Sequence, residues 1–132
     1  MFRRKRLPEE LVEPFEAFRG VVRRVERGTS ALTEAVPTTR LPGRPLGEVL
    51  LELEDELREA LREMPSWRAD AVEDVWRRCV DGLDASLELA ERLRTEGPDA
   101  TGFEGLIATI GQLLDPLEVF REAADRFREL RV

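Results

Sequence analysis

The stretch that decides the fold covers residues 11–36 and has the sequence LVEPFEAFRGVVRRVERGTSALTEAV. Its apolar and small residues recur at alternating steps of four and three, which is the spacing of one face of an α-helix. These positions are Leu11, Phe15, Phe18, Val22, Val25, Thr29, Leu32 and Val36. The stripe predicts an amphipathic helix that buries this face.

Three further segments carry the same kind of stripe, over residues 46–64, 72–93 and 106–127. No segment alternates between apolar and polar residues for long enough to form a strand. We therefore predict an all-α fold, a single-domain, antiparallel, up-down-up-down four-helix bundle. The predicted helices cover about residues 9–36, 45–64, 66–96 and 102–130. A flexible basic N-terminus, residues 1–7, precedes them.

Loop and capping signals set these boundaries. Residues 37–45 hold three prolines and a glycine, which separates the first two helices. Ser66 follows a proline and is placed to cap the third helix, which ends before the Gly-Pro pair at 97–98. Thr101 and Glu104 have the spacing of a capping box, so we expect the fourth helix to begin there.

Two prolines lie inside the predicted helices. Residues 115–118 are Asp-Pro-Leu-Glu, with an acid, a proline and a second acid in the positions that start a helix. We therefore predict that the last helix is kinked or broken at Pro116. Residues 13–16, Glu-Pro-Phe-Glu, repeat the arrangement. The first helix consequently has two possible starts, near Pro8 and near Pro14.

The composition removes most catalytic chemistry. The 132 residues include no histidine, no tyrosine and one cysteine, and 28 acidic against 21 basic residues give a net charge of −7. Without histidine the chain has no imidazole base and no imidazole metal ligand. Cys79 falls on a core stripe, where a buried thiol is inert. We therefore expect no enzyme activity, no cofactor and no metal.

Charge and hydropathy also restrict the partners and the location. The acidic net charge disfavours non-specific binding to nucleic acid, and no apolar run approaches the ~20 residues of a membrane span. The basic residues 2–6 are not followed by the apolar segment of a signal peptide. A lone cysteine is typical of a cytoplasmic protein. A single lysine, Lys5, among so many arginines is typical of a G+C-rich bacterial source.

Two acidic motifs are similar to those of a known family. Glu13-x-x-Glu16 and Glu52-x-x-Asp55 resemble the Glu-x-x-Glu and Glu-x-x-Asp motifs of all-α nucleotide pyrophosphohydrolases of the MazG type. The resemblance implies that these carboxylates face each other across helices and hold Mg²⁺ for nucleotide hydrolysis. Glu52 and Asp55 lie off the core stripe of their helix, however, which favours a solvated acidic face instead.

Residues 105–114 form an uncharged run in a chain in which 37% of the residues are charged. A helix that is apolar on every side must be covered on more than one side. It is either a central helix packed against its three neighbours or an interface with another polypeptide. In the second case the contact residues are Gly105, Ile107, Ala108, Thr109, Gly111 and Gln112.

The proline-rich loop after the first helix is the other candidate surface. Its prolines stiffen residues 38–45, so that Arg40, Leu41 and Arg44 are presented at a low ordering cost. In the alternative interpretation the loop is a strap between two helices, packed by Leu41.

These surfaces favour a non-catalytic interaction or accessory module. We expect it to bind another protein or a second copy of itself, through the uncharged face of the fourth helix and the adjacent loop. The alternative is a bundle that binds a small apolar ligand with an anionic head. That head would be oriented by Arg40, Arg44, Thr38 and Thr109.

Overall fold

The computed structural model describes residues 5–99 and 101–132, which form α-helices joined by 3₁₀ turns and short loops. Within these residues there is no β-strand. The helices are α1 (Val12–Thr33), α2 (Leu46–Glu63), α3 (Glu73–Glu96), α4 (Gly102–Leu114) and α5 (Val119–Glu129). The prediction of an all-α four-helix bundle is confirmed, with α4 and α5 together as its fourth member.

The first helix is shorter than predicted at both ends. It is preceded by a 3₁₀ turn, Glu9–Leu11, in which the Leu11 N–H donates to the Pro8 carbonyl at 2.9 Å. The helical path therefore starts directly after Pro8, and Pro14 lies inside it. At the other end the last turn tightens, as the Val36 N–H donates to the Thr33 carbonyl. Pro37 explains this, because the residue before a proline is disfavoured in α-helical geometry.

The predicted start of the third helix at residue 66 is wrong. A 3₁₀ turn, Met64–Trp67, follows α2, and the Ser66 hydroxyl donates to the Glu63 carbonyl instead of capping α3. The chain is extended at Ala69, and a second 3₁₀ turn, Asp70–Val72, leads into α3. The burial of Trp67, which is 0% exposed, explains the delay, because the chain bends to insert this ring into the core.

The fourth member of the bundle changes its hydrogen bonding in the middle. A 3₁₀ turn, Asp115–Glu118, separates α4 from α5. Asp115 opens this turn but caps nothing with its side chain. The predicted capping box is also wrong, because Thr101 precedes α4 without a side-chain cap. Gly102 has φ +82°, so the chain enters α4 in a left-handed conformation that the box does not accommodate.

Neighbouring helices run antiparallel. From α1 to α2, Arg24 pairs with Glu63, and Gly28 lies against Leu53. Since the α1 residue number rises while the α2 number falls, the two helices point in opposite directions. α2 and α3 are antiparallel by the same criterion, and so are α3 and α5. Those contacts are Glu54–Arg94, Arg58–Glu91, Asp74–Arg126 and Arg78–Glu122.

An aromatic cluster fills one end of the core. The Phe18 ring lies 4.8 Å from Trp67 and 5.1 Å from Phe127, measured between ring centroids. Phe15 contacts Phe127 at 5.2 Å, and Phe120 stacks on Phe18 at 6.4 Å. The cluster therefore joins α1 to α5 and to the turn after α2.

Cys79 lies on the buried side of α3, as the stripe predicts. Desolvation raises the pKa of its thiol to about 12. Because the thiolate is the reactive form, this cysteine is inert at neutral pH.

The contact between α2 and α3 encloses a charged network. Glu54 is 0% exposed and accepts two hydrogen bonds from Arg94, one of them 2.9 Å long. Arg58 donates to Glu54 at 3.3 Å and to Glu91 at 2.8 Å. The pKa of Arg94 is raised, chiefly by its hydrogen bond to Glu54. An acid four residues before an arginine is typical of an exposed pair on a helix surface, whereas Glu54 is buried here.

The two ends of the described chain meet. The Arg6 N–H donates to the Val132 carbonyl at 3.0 Å, and the Val132 N–H donates back to the Arg6 carbonyl at 2.8 Å. The predicted flexible N-terminus covers residues 1–7, of which 1–4 lie outside the described residues. At Arg6, the backbone is held by this pair of hydrogen bonds. Among the described helices, none has the length and apolar character needed to cross a membrane.

Candidate functional site

The uncharged run on α4 is divided between the core and the surface. Gly105 and Thr109 are buried, and the Thr109 hydroxyl donates to the Gly105 carbonyl at 2.8 Å. Ile107, Ala108 and Gln112 are exposed, and Gly111 is half-buried. The run is therefore packed on one side and open on the other, and only the open side can bind a partner without unfolding.

Phe103 extends the open side of α4 toward its start. The ring is 59% exposed, and Ile107, one turn later, is 45% exposed. Residues four apart lie on the same side of a helix, so the two side chains are neighbours. The sequence interpretation missed Phe103 because the uncharged run begins after Glu104. An apolar spacing of four across that glutamate is the signal that could have identified it.

The proline-rich loop closes on itself. The Thr38 hydroxyl accepts hydrogen bonds from the N–H groups of Arg40 and Leu41, at 3.3 and 3.0 Å. The Thr38 N–H donates to the Leu41 carbonyl at 2.9 Å. The Leu41 side chain is 69% exposed. The interpretation of the loop as a strap packed by Leu41 is therefore wrong.

Arg44 is engaged within the chain. It donates to Glu34 at 2.5 Å and to Glu52 at 2.6 Å, with Glu48 at 3.8 Å. These hydrogen bonds raise the pKa of Arg44, chiefly through Glu52, and Arg44 lowers the pKa of Glu52 in return. An anionic ligand would have to compete with these carboxylates for the guanidinium. No hydrogen bond or ion pair within residues 5–99 and 101–132 joins the loop to α4.

A groove lies between α1 and the opposite wall formed by α4, the turn after it and α5. We call it the α1–α5 groove, and its volume is about 660 Å³. Aliphatic and aromatic side chains line it from both walls. They are Phe15, Phe18, Val22 and Val25 from α1, and Leu114, Leu117, Phe120 and Ala124 from the opposite wall.

The groove continues the exposed side of α4. Phe103, Ile107 and Leu114 are separated by four and seven residues, which places them in one line along the helix. Leu114 lines the groove, while Phe103 and Ile107 are exposed beyond it. At 1.5 Å per residue, the line from Phe103 to Ala124 is about 30 Å long. We call the groove and this side of α4 together the apolar strip.

Charged residues of both signs lie along the rim of the groove. Arg23 and Glu26 belong to the α1 wall, and Glu118 and Arg121 to the opposite wall. In the described part of the chain, none of these four has an opposite charge within 4.0 Å, whereas Arg19, which also lines the α1 wall, pairs with Glu16 at 3.5 Å. Ion pairs are frequent elsewhere on the molecule. At this rim, charges of both signs therefore stand unpaired beside an apolar surface.

The sequence interpretation did not identify this groove. Its α1 wall is the predicted stripe, which was assigned wholly to the core. The structure leaves Phe15 and Val22 of this stripe only partly buried. Adjacent unpaired charges on α1, without a matching acid four residues away, are a weak signal that could have pointed to it.

The carboxylates of the acidic motifs are not brought together. Glu16 pairs with Arg19 at 3.5 Å, Glu52 with Arg44, and Asp55 lies 3.7 Å from Arg58. Among residues 5–99 and 101–132, no group of three or more Asp, Glu, Cys or His side chains is placed to hold a metal ion. Comparison with protein families, with curated proteins and with solved structures finds no match.

Proposed function

We propose that this protein is a non-catalytic interaction module that binds a helix of another polypeptide along the apolar strip. The observation that carries the proposal is the α1–α5 groove, whose floor consists of aromatic and aliphatic side chains. Insertion of an amphipathic helix into an apolar groove is a recurrent mode of protein recognition. The helix comes from another protein or from a second copy of this chain.

The shape of the strip supports a helical occupant. A helix of about 20 residues is about 30 Å long, which equals the length of the strip from Phe103 to Ala124. Side chains from such a helix at every third or fourth position would contact Ile107, Leu114 and Ala124 in turn. A compact ligand would leave the exposed Phe103 and Ile107 uncovered.

The side-chain chemistry supports a binding role. The chain has no histidine, and its one cysteine is buried with its pKa raised. The carboxylates that could serve as acid or base at the strip, Glu26 and Glu118, are solvated side chains on the rim.

A designed amphipathic peptide of about 20 residues, with leucines on one face and alternating lysine and glutamate on the other, tests the proposal. Isothermal titration calorimetry should show saturable binding to the wild type. Ile107→Arg should weaken it by about tenfold or more, because a charge would replace an apolar contact. Gln112→Arg is the matched control, since Gln112 is exposed on the same helix but off the line of Phe103 and Leu114. Absence of binding, or equal weakening by both substitutions, would contradict the proposal.

A small amphiphile is the second candidate for the same groove. Its volume of about 660 Å³ lies within the range of ligand pockets, about 300–1,000 Å³. The residues assigned to this role from the sequence are less suitable, because Thr109 is buried and Arg44 is bound to carboxylates. At the groove, Arg23 and Arg121 would orient the anionic head. A thermal shift with dodecanoate that is lost in Arg121→Ala would support this candidate over the first.

A further inference from the structure

We infer that the polypeptide that covers the α1–α5 groove is a second copy of this chain, whose own groove walls meet these walls about a two-fold axis, so that the rim charges pair between protomers. The inference rests on the proposed function and names its partner. It follows from the order of the charges on the two walls.

Each wall carries one arginine and one glutamate that are unpaired and three residues apart; the α1 wall also carries Arg19, which pairs with Glu16 at 3.5 Å. The α1 wall has Arg23-x-x-Glu26, and the opposite wall has Glu118-x-x-Arg121. Three residues of a helix span about 4.5 Å, so the two charges on a wall are close neighbours along the groove. Within the described residues, none of Arg23, Glu26, Glu118 and Arg121 has an opposite charge within 4.0 Å.

The two-fold axis crosses the groove between the two charges of each wall. It places each wall opposite the same wall of the partner, with the order of the charges reversed. Arg23 then faces the partner's Glu26, and Glu26 faces the partner's Arg23. The same rotation sets Glu118 opposite the partner's Arg121, and Arg121 opposite the partner's Glu118. An isologous interface requires such self-complementarity, because the same patch is contributed by both copies.

Partners of one charge sign fit this rim less well. An acidic helix would be repelled by Glu26 and Glu118, and a basic helix by Arg23 and Arg121. A second copy matches all of these charges at once. The apolar floor would provide most of the affinity, while the charges would define the register between the two copies.

Sedimentation equilibrium on the full chain tests the inference, at protein concentrations from about 1 to about 500 µM. The wild type should dimerise, and the dimer should weaken between about 50 and about 500 mM salt. Arg23→Glu should raise the dissociation constant by about tenfold or more, because it sets two acids opposite each other. The double variant Arg23→Glu/Glu26→Arg exchanges the two charges and should return to within about threefold of the wild type.

Arg27→Glu is the matched control. Arg27 lies on the same helix, and its substitution changes the net charge equally. It lines the crevice toward Glu52 of α2, which Arg23 and Glu26 also line, but it does not line the groove. It should change the dissociation constant by less than about threefold. Far-UV circular dichroism of each variant reports whether the helices are retained.

The outcomes separate this inference from the proposed function. A wild type that stays monomeric throughout, yet binds the designed peptide, would overturn the second copy and leave the interaction module intact. A dimer in which the double variant is as weak as Arg23→Glu would overturn the two-fold arrangement. A monomer that binds no peptide would overturn both.

Discussion

Two contacts between helices of this molecule use the same residue types in opposite ways. Where α2 meets α3, Glu54 is enclosed and held by Arg94 and Arg58. Where α1 approaches α5, arginine and glutamate stand on the rim without partners, and an open groove remains between the helices. One contact is completed within the chain, while the other leaves its rim charges unpaired and Phe15, Val22 and Leu114 only partly buried.

The difference follows from the cost of burying a charge. A carboxylate removed from water costs several kcal/mol unless it is paired, so Glu54 can be enclosed only with its arginines. A charge on an open rim keeps its hydration, and an ion pair there contributes only about 0–1 kcal/mol. The rim residues therefore remain solvated without penalty. Their pairing becomes favourable when a second surface excludes the water between them.

Breaking the closed contact should have the largest effect. Arg94→Ala leaves Glu54 buried with only Arg58 as a partner. We expect a loss of about 3 kcal/mol in the free energy of unfolding, at the low end for a buried pair because Arg94 is itself partly exposed. Urea denaturation at neutral pH measures it.

The matched substitution at the open groove between α1 and α5 is Arg121→Ala. Since Arg121 has no partner within the described chain, the monomer should change by no more than about 0.5 kcal/mol. Equal losses in the two variants would contradict the contrast between the closed and open contacts.

A substitution at Gly82 should displace the groove wall formed by the turn between α4 and α5. A Cβ at this residue would overlap the Pro116 carbonyl oxygen, which belongs to the backbone turn between α4 and α5. Gly82→Ala must therefore displace the turn, and we expect a destabilisation of about 1–3 kcal/mol in thermal or urea unfolding.

Gly111→Ala provides the comparison within α4. A Cβ there meets nothing within 4 Å among the described residues. The higher helix propensity of alanine should then stabilise the protein, by up to about 1 kcal/mol. If both variants are stabilised, the close approach of Gly82 to Pro116 is not a constraint on the fold.

The smallest expected effect concerns the stability in acid that the ion pairs of Glu73, at the start of α3, provide. Arg68 and then Arg77 hold the carboxyl of Glu73, and they lower its pKa from 4.5 to about 2. Because the folded pKa is the lower one, the stabilisation is complete above pH 4.5 and is lost as the pH falls towards 2. Glu73→Gln should therefore show a smaller loss of stability over this interval than the wild type.

The pH dependence of the stability can also be tested by a substitution of Arg68, the ion-pair partner of Glu73. Arg68→Gln removes the main cause of the lowered pKa and should flatten the same interval of the stability curve. Urea unfolding at several pH values gives both curves. Unchanged slopes in both variants would show that the Glu73 ion pairs do not contribute.

Local patterns were sufficient for the helices but not for their junctions. The alternation of apolar residues predicted each helical segment, because one face of a helix must be buried wherever it packs. The delayed start of α3 depends on the insertion of Trp67, and the burial of Glu54 depends on Arg94, forty residues away. Such contacts between distant segments leave no trace in the local spacing.

The candidate site was predictable only in part. An uncharged run predicted an unusual surface on α4, and Ile107 is exposed there. The run could not reveal that Thr109 faces the core or that Arg44 is bound to Glu34 and Glu52. The α1–α5 groove depends on the separation between two helices that are distant in the chain, which no local pattern encodes.

The contact between Phe18 and Trp67 gives the molecule an intrinsic optical reporter. Phe18 lines the groove and lies edge-on to Trp67, and the chain has two tryptophans and no tyrosine. An occupant that moves the Phe18 ring would alter the surroundings of Trp67 and hence its emission. Trp76 stacks under Arg68 and does not line the groove. Occupancy of the groove can therefore be followed by fluorescence in the unlabelled protein.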